Sequence, residues 1–303
     1  MKKNDTFLKR AEIMYLLELS KLGLIDELKI KVQDIILKAS QQNRAGYIAT
    51  YSKLLIFLDS LKTEHIKLCN QIFTRGNSKL PFISFSNAPI VNCPGAGDCI
   101  NLCYSLTSLR YPGVQTRFIQ NTILLEKNYS WIIEQDFKRL VKTGKIKFFR
   151  LYVDGDFKSK KEVIFWMDLL KKFPGVKAYG YTKSTSFFND LNNENYNFPN
   201  NYKVNISSGS NNPKEALKLA NSELNIVRGN FINIDINSNS TSTNRTLTDK
   251  QLIKEKLGTN RDYKLKNGRS YFVCPGLCGT CTKKGHACGL DSFKNIDIII
   301  PNH

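Results

Sequence analysis

The sequence predicts an α/β fold: a partial (βα) barrel or open parallel sheet, with an N-terminal helical extension and a C-terminal Cys-rich metal-binding segment. Three observations lead there. Residues 5–74 repeat apolar side chains three and four apart, the spacing of helix faces. From about residue 80, short β-branched and aromatic runs alternate with helical patterns, which is how a parallel sheet is connected. Seven of the eight cysteines gather in two short Gly-rich stretches. The expected divisions are a helical region at 1–78, an α/β core at 79–270 and the Cys-rich segment at 271–303.

The helical region comes first. "FLKRAEIMYLLELSKLGLIDELKIKVQDIILKAS" reads as two helices broken at Gly23, and "YIATYSKLLIFLDSLKTEHIKLCNQIF" as a third. Cys69, alone in this stretch, reads as an inert buried thiol. Strands are expected at 82–86, 146–153, 176–182, 202–208 and 231–236, with helical patterns in "SKKEVIFWMDLLKKF" and "NPKEALKLANSEL". "NSNSTSTNRT", 237–246, is a polar low-complexity loop expected to be mobile.

In parallel α/β folds the working residues collect at the C-terminal ends of strands. The first strand runs into "NCPGAGDCINLCYSL", the second into "VDGDF", the third into "YTKS" and the fourth into "SSGS". Asp154, Asp156, Thr182, Lys183 and Ser208 are therefore candidates for the rim of a pocket. A second reading of "DGD" stays open: a turn whose Asp caps the next helix. Ser184 reads as a helix cap.

The formal charge of +19 favours a polyanionic partner, and nucleic acid is the commonest. Of 45 basic residues 34 are Lys, so compositional drift of an AT-rich genome competes as an explanation. Against pure drift, residues 136–161 hold nine Lys/Arg and three Asp/Glu. No apolar run is long enough to span a bilayer, and charges interrupt the N-terminus before any signal-type apolar stretch. A cytoplasmic protein without a membrane partner is expected, in a compartment where clustered cysteines bind metal more often than they pair.

Cys93, Cys99 and Cys103 form one group; Cys274, Cys278, Cys281 and Cys288, with His286 nearby, form the other. Four thiolates on Gly-rich loops suit structural zinc or a fully ligated iron–sulfur cluster. Three would leave one metal position open to a substrate. One shared site, or two zincs with His286 as the eighth ligand, are the competing arrangements.

A first strand followed by three cysteines, with Tyr104 beside the last, resembles the radical S-adenosylmethionine superfamily, although the spacing here is C-x5-C-x3-C rather than C-x3-C-x2-C. The resemblance implies a [4Fe–4S] cluster on Cys93, Cys99 and Cys103, S-adenosylmethionine on its fourth iron, and a carboxylate motif at the place of "VDGDF". It also implies a closed auxiliary cluster near the C-terminus. More of the chain, about 82–290, is similar to the phage gene-product-88-like proteins of mobile elements. The matching pieces are "CPGAGDCINLCYS", "VQTRFIQNT", "FFRLYVDGDF", "AYGYTKS", "YKVNISSGS" and the late cysteines. The expected function is an iron–sulfur, radical-S-adenosylmethionine-like enzyme acting on nucleic acid or a nucleotide. Asp154, Asp156 and Lys183 would be its catalytic side chains, and Thr182, Ser208 and Tyr104 its cofactor contacts. The rival is a zinc-stabilised, non-enzymatic nucleic-acid-binding protein.

Overall fold

The computed structural model describes residues 7–75, 80–101, 103–234, 269–279, 281–282 and 286–301. The polar stretch 237–246 lies outside them. Helices α1 (Arg10–Leu22), α2 (Ile25–Gln41) and α3 (Ala45–Ser60) occupy the N-terminal region. Gly23 ends α1 in the left-handed conformation at φ 66°, its amide bonding back to Leu19 and Ser20, so the expected break falls where glycine permits it. The third helix stops at Ser60, earlier than its apolar pattern suggested.

The strands are β1 (Thr74–Arg75), β2 (Ile83–Ser84), β3 (Phe148–Leu151), β4 (Lys177–Thr182), β5 (Tyr202–Ser207), β6 (Val227–Ile234), β7 (Tyr271–Val273) and β8 (Asp297–Pro301). They form one sheet in the order β1-β2-β3-β4-β5-β6-β8-β7. Every pairing is parallel except β1 with β2. The α/β class and the mostly parallel sheet are as the sequence predicts, and the sheet is open. Expected strands recur at the expected places, but β6 begins at Val227 rather than Phe231, and its pairing with β5 shifts register between Val204 and Asn205.

Five further helices follow: α4 (Pro112–Glu126), α5 (Ser130–Lys142), α6 (Lys160–Lys172), α7 (Thr185–Asn193) and α8 (Pro213–Ala220). Phe149 and Leu151 of β3, Ala178 of β4, and Val204 and Ile206 of β5 share one hydrophobic core with these helices and with α1–α3. The alternate residues point the other way, as period two requires. There Phe82, Tyr179 and Tyr181 pack with Ala287, Cys288 and Ile298, so the Cys-rich segment covers the second face.

Helix α4 shows no simple stripe because polar side chains are buried along it: Gln115, Thr116, Gln120, Asn121 and Thr122. They satisfy backbone groups that have no strand or helix partner. Gln120 Oε1 accepts from the amides of Cys69 (2.8 Å) and Asn70 (2.9 Å). Asn121 Nδ2 donates to the carbonyls of Ile72 (3.1 Å) and Ser86 (2.9 Å). Thr122 Oγ1 accepts from the Ala88 amide at 3.1 Å. One helix thereby fixes both the segment before β1 and the chain that leaves β2. Cys69 is half-buried, and burial pushes its thiol pKa up to about 12.

Candidate active site

The chain leaves β2 at Ser84 and enters the three-cysteine loop through Ile90, a β-branched residue at φ 67°. Such a residue avoids the left-handed region unless its surroundings impose it, and strain of this kind gathers at functional sites. The loop then lies across the C-terminal ends of β4 and β5. Gly97 N donates to Gly209 O at 2.9 Å, Asn211 N to Gly95 O at 3.0 Å, and Ala96 bridges Ser210. Gly95 is needed for the approach: a Cβ there would stand 2.1 Å from the Lys183 carbonyl oxygen.

Cys93, Cys99 and Cys103 come within electrostatic reach of one another, and Cys93 and Cys99 also of Asp156. Burial pushes the Cys93 thiol well above its ordinary value, and the neighbouring Asp156 adds to that. Burial also raises Cys99, while Lys183 beside it pulls the other way. Lys183 Nζ donates to Ser207 Oγ at 2.8 Å. Among the described residues no three Cys, His, Asp or Glu side chains stand close enough to hold one metal ion. In donor chemistry the set suits a thiophilic metal: three sulfurs on a glycine-rich loop with a cation at hand.

Asp156 is a buried clamp. Its Oδ1 accepts from Phe157 N and Thr182 Oγ1, both at 2.8 Å. Its Oδ2 accepts from Lys183 N at 2.8 Å and Ser184 Oγ at 3.3 Å. Four donors join the end of β3 to the end of β4, although burial still raises the carboxyl above its usual range. Thr182 is buried too, its hydroxyl also accepting from Ser184 N at 2.9 Å, so it positions neighbours rather than lining a pocket. Ser184 sits at the N-cap of α7 as expected, but its side chain makes no cap bond because it turns to Asp156. The cap of α6 is Ser159, accepting from Glu162 N, and neither Asp of "DGD".

Asp154 lies further out, its Oδ2 accepting from Ser86 Oγ at 3.2 Å, with burial raising its pKa. Tyr104 has an exposed ring whose hydroxyl donates to the Val153 carbonyl. Ser208 Oγ accepts from Asn233 N at 2.9 Å and borders a cavity of about 240 Å³ between β5, β6 and α8. Ser207 and Glu162 were not singled out in the sequence. Glu162 is buried at the start of α6, where burial pushes its pKa up to about 8. It accepts from Lys158 N (3.2 Å) and Asn87 Nδ2 (3.4 Å).

The later cysteines are held on the open face of the sheet. Cys274 and Cys281 pack around Tyr179 and Ile298 with Cys288. Burial raises the Cys281 thiol above its ordinary value, and the Ala287 amide, donating to its Sγ at 3.2 Å, offsets part of that. Cys288 is pushed up to about 12 by burial. His286 is wedged between Phe82, Phe148 and Tyr179 at ring separations of 4.9, 5.2 and 4.6 Å, and burial lowers its pKa to about 4. Arg150 feels both Tyr104, next to Cys103, and Cys278. Of the cysteines, Cys278 of the later group is the one that acts on this guanidinium.

With this geometry in view, the family model described as Gene product 88 matches residues 59–236. The chain belongs to the Gene product 88 family. The resemblance to the phage gene-product-88-like proteins is thus borne out, with different limits: the match begins in the last turn of α3 and ends before the late cysteines, and it lends no support to the radical S-adenosylmethionine resemblance. The three-cysteine loop, "VDGDF", "YTKS" and "SSGS" all fall inside it. No curated protein and no solved structure matches the chain. Among the described residues no helix is long and apolar enough to cross a membrane.

Proposed function

We propose that this Gene product 88 family member is an iron–sulfur enzyme of radical-S-adenosylmethionine type, carried by a mobile element and acting on nucleic acid or a nucleotide. The observation that carries the proposal is the three-cysteine loop laid over the ends of β4 and β5, beside Lys183, Ser207 and Asp156. Cys93, Cys99 and Cys103 would hold the cluster, which when bound supplies one-electron chemistry to a cosubstrate.

The chain's own residues have separable tasks in this proposal. Lys183, anchored by Ser207, balances negative charge on the sulfurs. Asp156 locks the ends of β3 and β4 so that Lys183 cannot drift. Asp154, at the outer edge, faces the substrate, and the cavity beside Ser208 takes an apolar or planar part of the cosubstrate. The late cysteines hold an auxiliary cluster or zinc.

Purification without oxygen tests this. A brown protein containing iron and inorganic sulfide is expected. Cys99→Ala should lose part of the metal and all S-adenosylmethionine cleavage while remaining folded, and Cys278→Ala should lose stability. Colourless protein containing zinc alone would overturn the proposal and leave the non-enzymatic nucleic-acid-binding alternative. That alternative draws on exposed Lys142, Lys145 and Lys147, which lead into the N-terminal end of β3.

A further inference from the structure

Three arginines near these loops, Arg228 buried and Arg117 and Arg150 half-buried, are treated differently. Arg228 is saturated: its guanidinium bonds Asn205, Phe293 O (3.2 Å), Ile296 O (2.6 Å) and Asn230 O (3.0 Å). That is the ordinary state of a buried guanidinium, which brings five donors needing acceptors. The side chains of Arg117 and Arg150 make no hydrogen bond and no ion pair to any described residue, and the Nε of each is buried without a partner. A charged donor left so costs more than a neutral one, so the pattern points to an absent acceptor.

Both arginines approach the same place. Arg117 lies one helical turn before Asn121 on α4, and Asn121 holds the Ser86 carbonyl at 2.9 Å. Ser86 in turn holds Asp154. Arg150 comes from the opposite side, from β3, with its guanidinium 4.9 Å over the Tyr181 ring. Asp154 feels both charges, yet its bond to Ser86 leaves it beyond ion-pair distance of either. Asp154 is one carboxylate against two cations, and Cys278 is a further group acting on Arg150. The exposed Tyr104 ring borders the same rim through its bond to Val153.

We propose that Arg117 and Arg150, flanking Asp154, form an oxyanion-binding site that takes a phosphate or carboxylate group of a small molecule or chain end. Planar guanidinium forks match the oxygen pairs of both groups. The site gives a role to the one charged side chain of "VQTRFIQNT", where Phe118 and Ile119 are core and Gln120 and Asn121 hold backbone groups. It does not rest on a metal at Cys93, Cys99 and Cys103, none of which acts on Arg117 or Arg150.

Arginine modification by phenylglyoxal, mapped by mass spectrometry on the intact wild-type chain, reads the site directly. Inorganic phosphate, acetate or both should slow modification of Arg117 and Arg150 at least tenfold, with saturable binding in calorimetry. Protection by phosphate alone assigns the site to a phosphoryl group; equal protection by acetate assigns it to a carboxylate as well. Arg117→Gln should weaken the binding at least tenfold, and Arg117→Lys, which keeps the charge and loses the fork, should weaken it less. The triple variant Lys142→Gln, Lys145→Gln, Lys147→Gln should bind as the wild type does. If neither anion protects either arginine, or neither binds saturably, the site does not exist. Loss of binding in the lysine variant, or its full retention in Arg117→Gln, would place the anion elsewhere and equally overturn the proposal. If Arg117→Gln fails to fold, wild-type protection and Arg117→Lys decide.

Discussion

At the scale of single residues, the strand-end rule found the right neighbourhood and missed the division of labour within it. Asp156 and Thr182 were legible as site residues because they end strands, but hydrogen bonding spends both on holding β3 to β4. Ser207, one residue before the Ser208 chosen from the sequence, is the partner of Lys183, and the pleat that decides between them is not visible in "SSGS". Glu162 was invisible for another reason. An acidic residue in the first turn of a helix is ordinary, and only tertiary packing buries it. Its raised pKa has a measurable sign. The unfolded carboxyl titrates near 4.5 and the folded one near 8, so the folded state holds an extra proton between those values and stability falls as pH rises through that window. The slope from this one group is about 1.4 kcal/mol per pH unit. Glu162→Gln should flatten the wild-type dependence by about that amount between pH 5 and 8, measured by urea unfolding at a series of pH values. Parallel wild-type and variant curves would mean that Glu162 is ionised in the folded protein.

Among the elements, those with a clear period were legible. The five expected strands recur, and α6 and α8 fall within their apolar patterns. Helix α5 carries an ordinary stripe of Ile133, Phe137 and Leu140 and was within reach of the sequence. Helix α4 was not, since buried Gln, Asn and Thr break any stripe, and α7 is short and rich in Asn, a poor helix former. The three-residue β7 offers too little length for alternation to register. The cysteine loop was legible by composition, but its docking on β4 depends on one residue without a side chain. Gly95→Ala would put a methyl group 2.1 Å from the Lys183 carbonyl, and backbone cannot swing aside as a side chain can. A loss of about 1–3 kcal/mol in stability is expected. Metal bound by the first cysteine group should fall with it, while the late group keeps its share. Unfolding midpoints and metal analysis on the same preparations would check both halves.

For the molecule as a whole, charge and chemistry occupy opposite ends of the sheet. Lys142, Lys145 and Lys147 are exposed and lead into the N-terminal end of β3, whereas the cysteine loop crosses the C-terminal ends of β4 and β5. Arg150, which the sequence groups with those lysines, is turned inward over Tyr181 and does not belong to that surface. Replacing the three lysines with Gln should weaken sequence-independent nucleic-acid binding. Its salt slope should fall by up to roughly 0.9 per lost phosphate contact. Iron content should not change. No binding at low salt, or binding indifferent to the substitution, would assign the surplus charge to composition.

Helix α4 carries a consequence for how the chain comes apart. Its Gln120, Asn121 and Thr122 are the hydrogen-bond partners of two segments far apart in sequence, around 69–72 and 86–88, which have little regular structure of their own. Loosening either segment strands a buried amide or carbonyl on the helix, and loosening the helix strands both at once. These irregular stretches therefore belong to the same cooperative unit as the core, and their amide protons exchange with solvent only when the sheet and the N-terminal helices let go together.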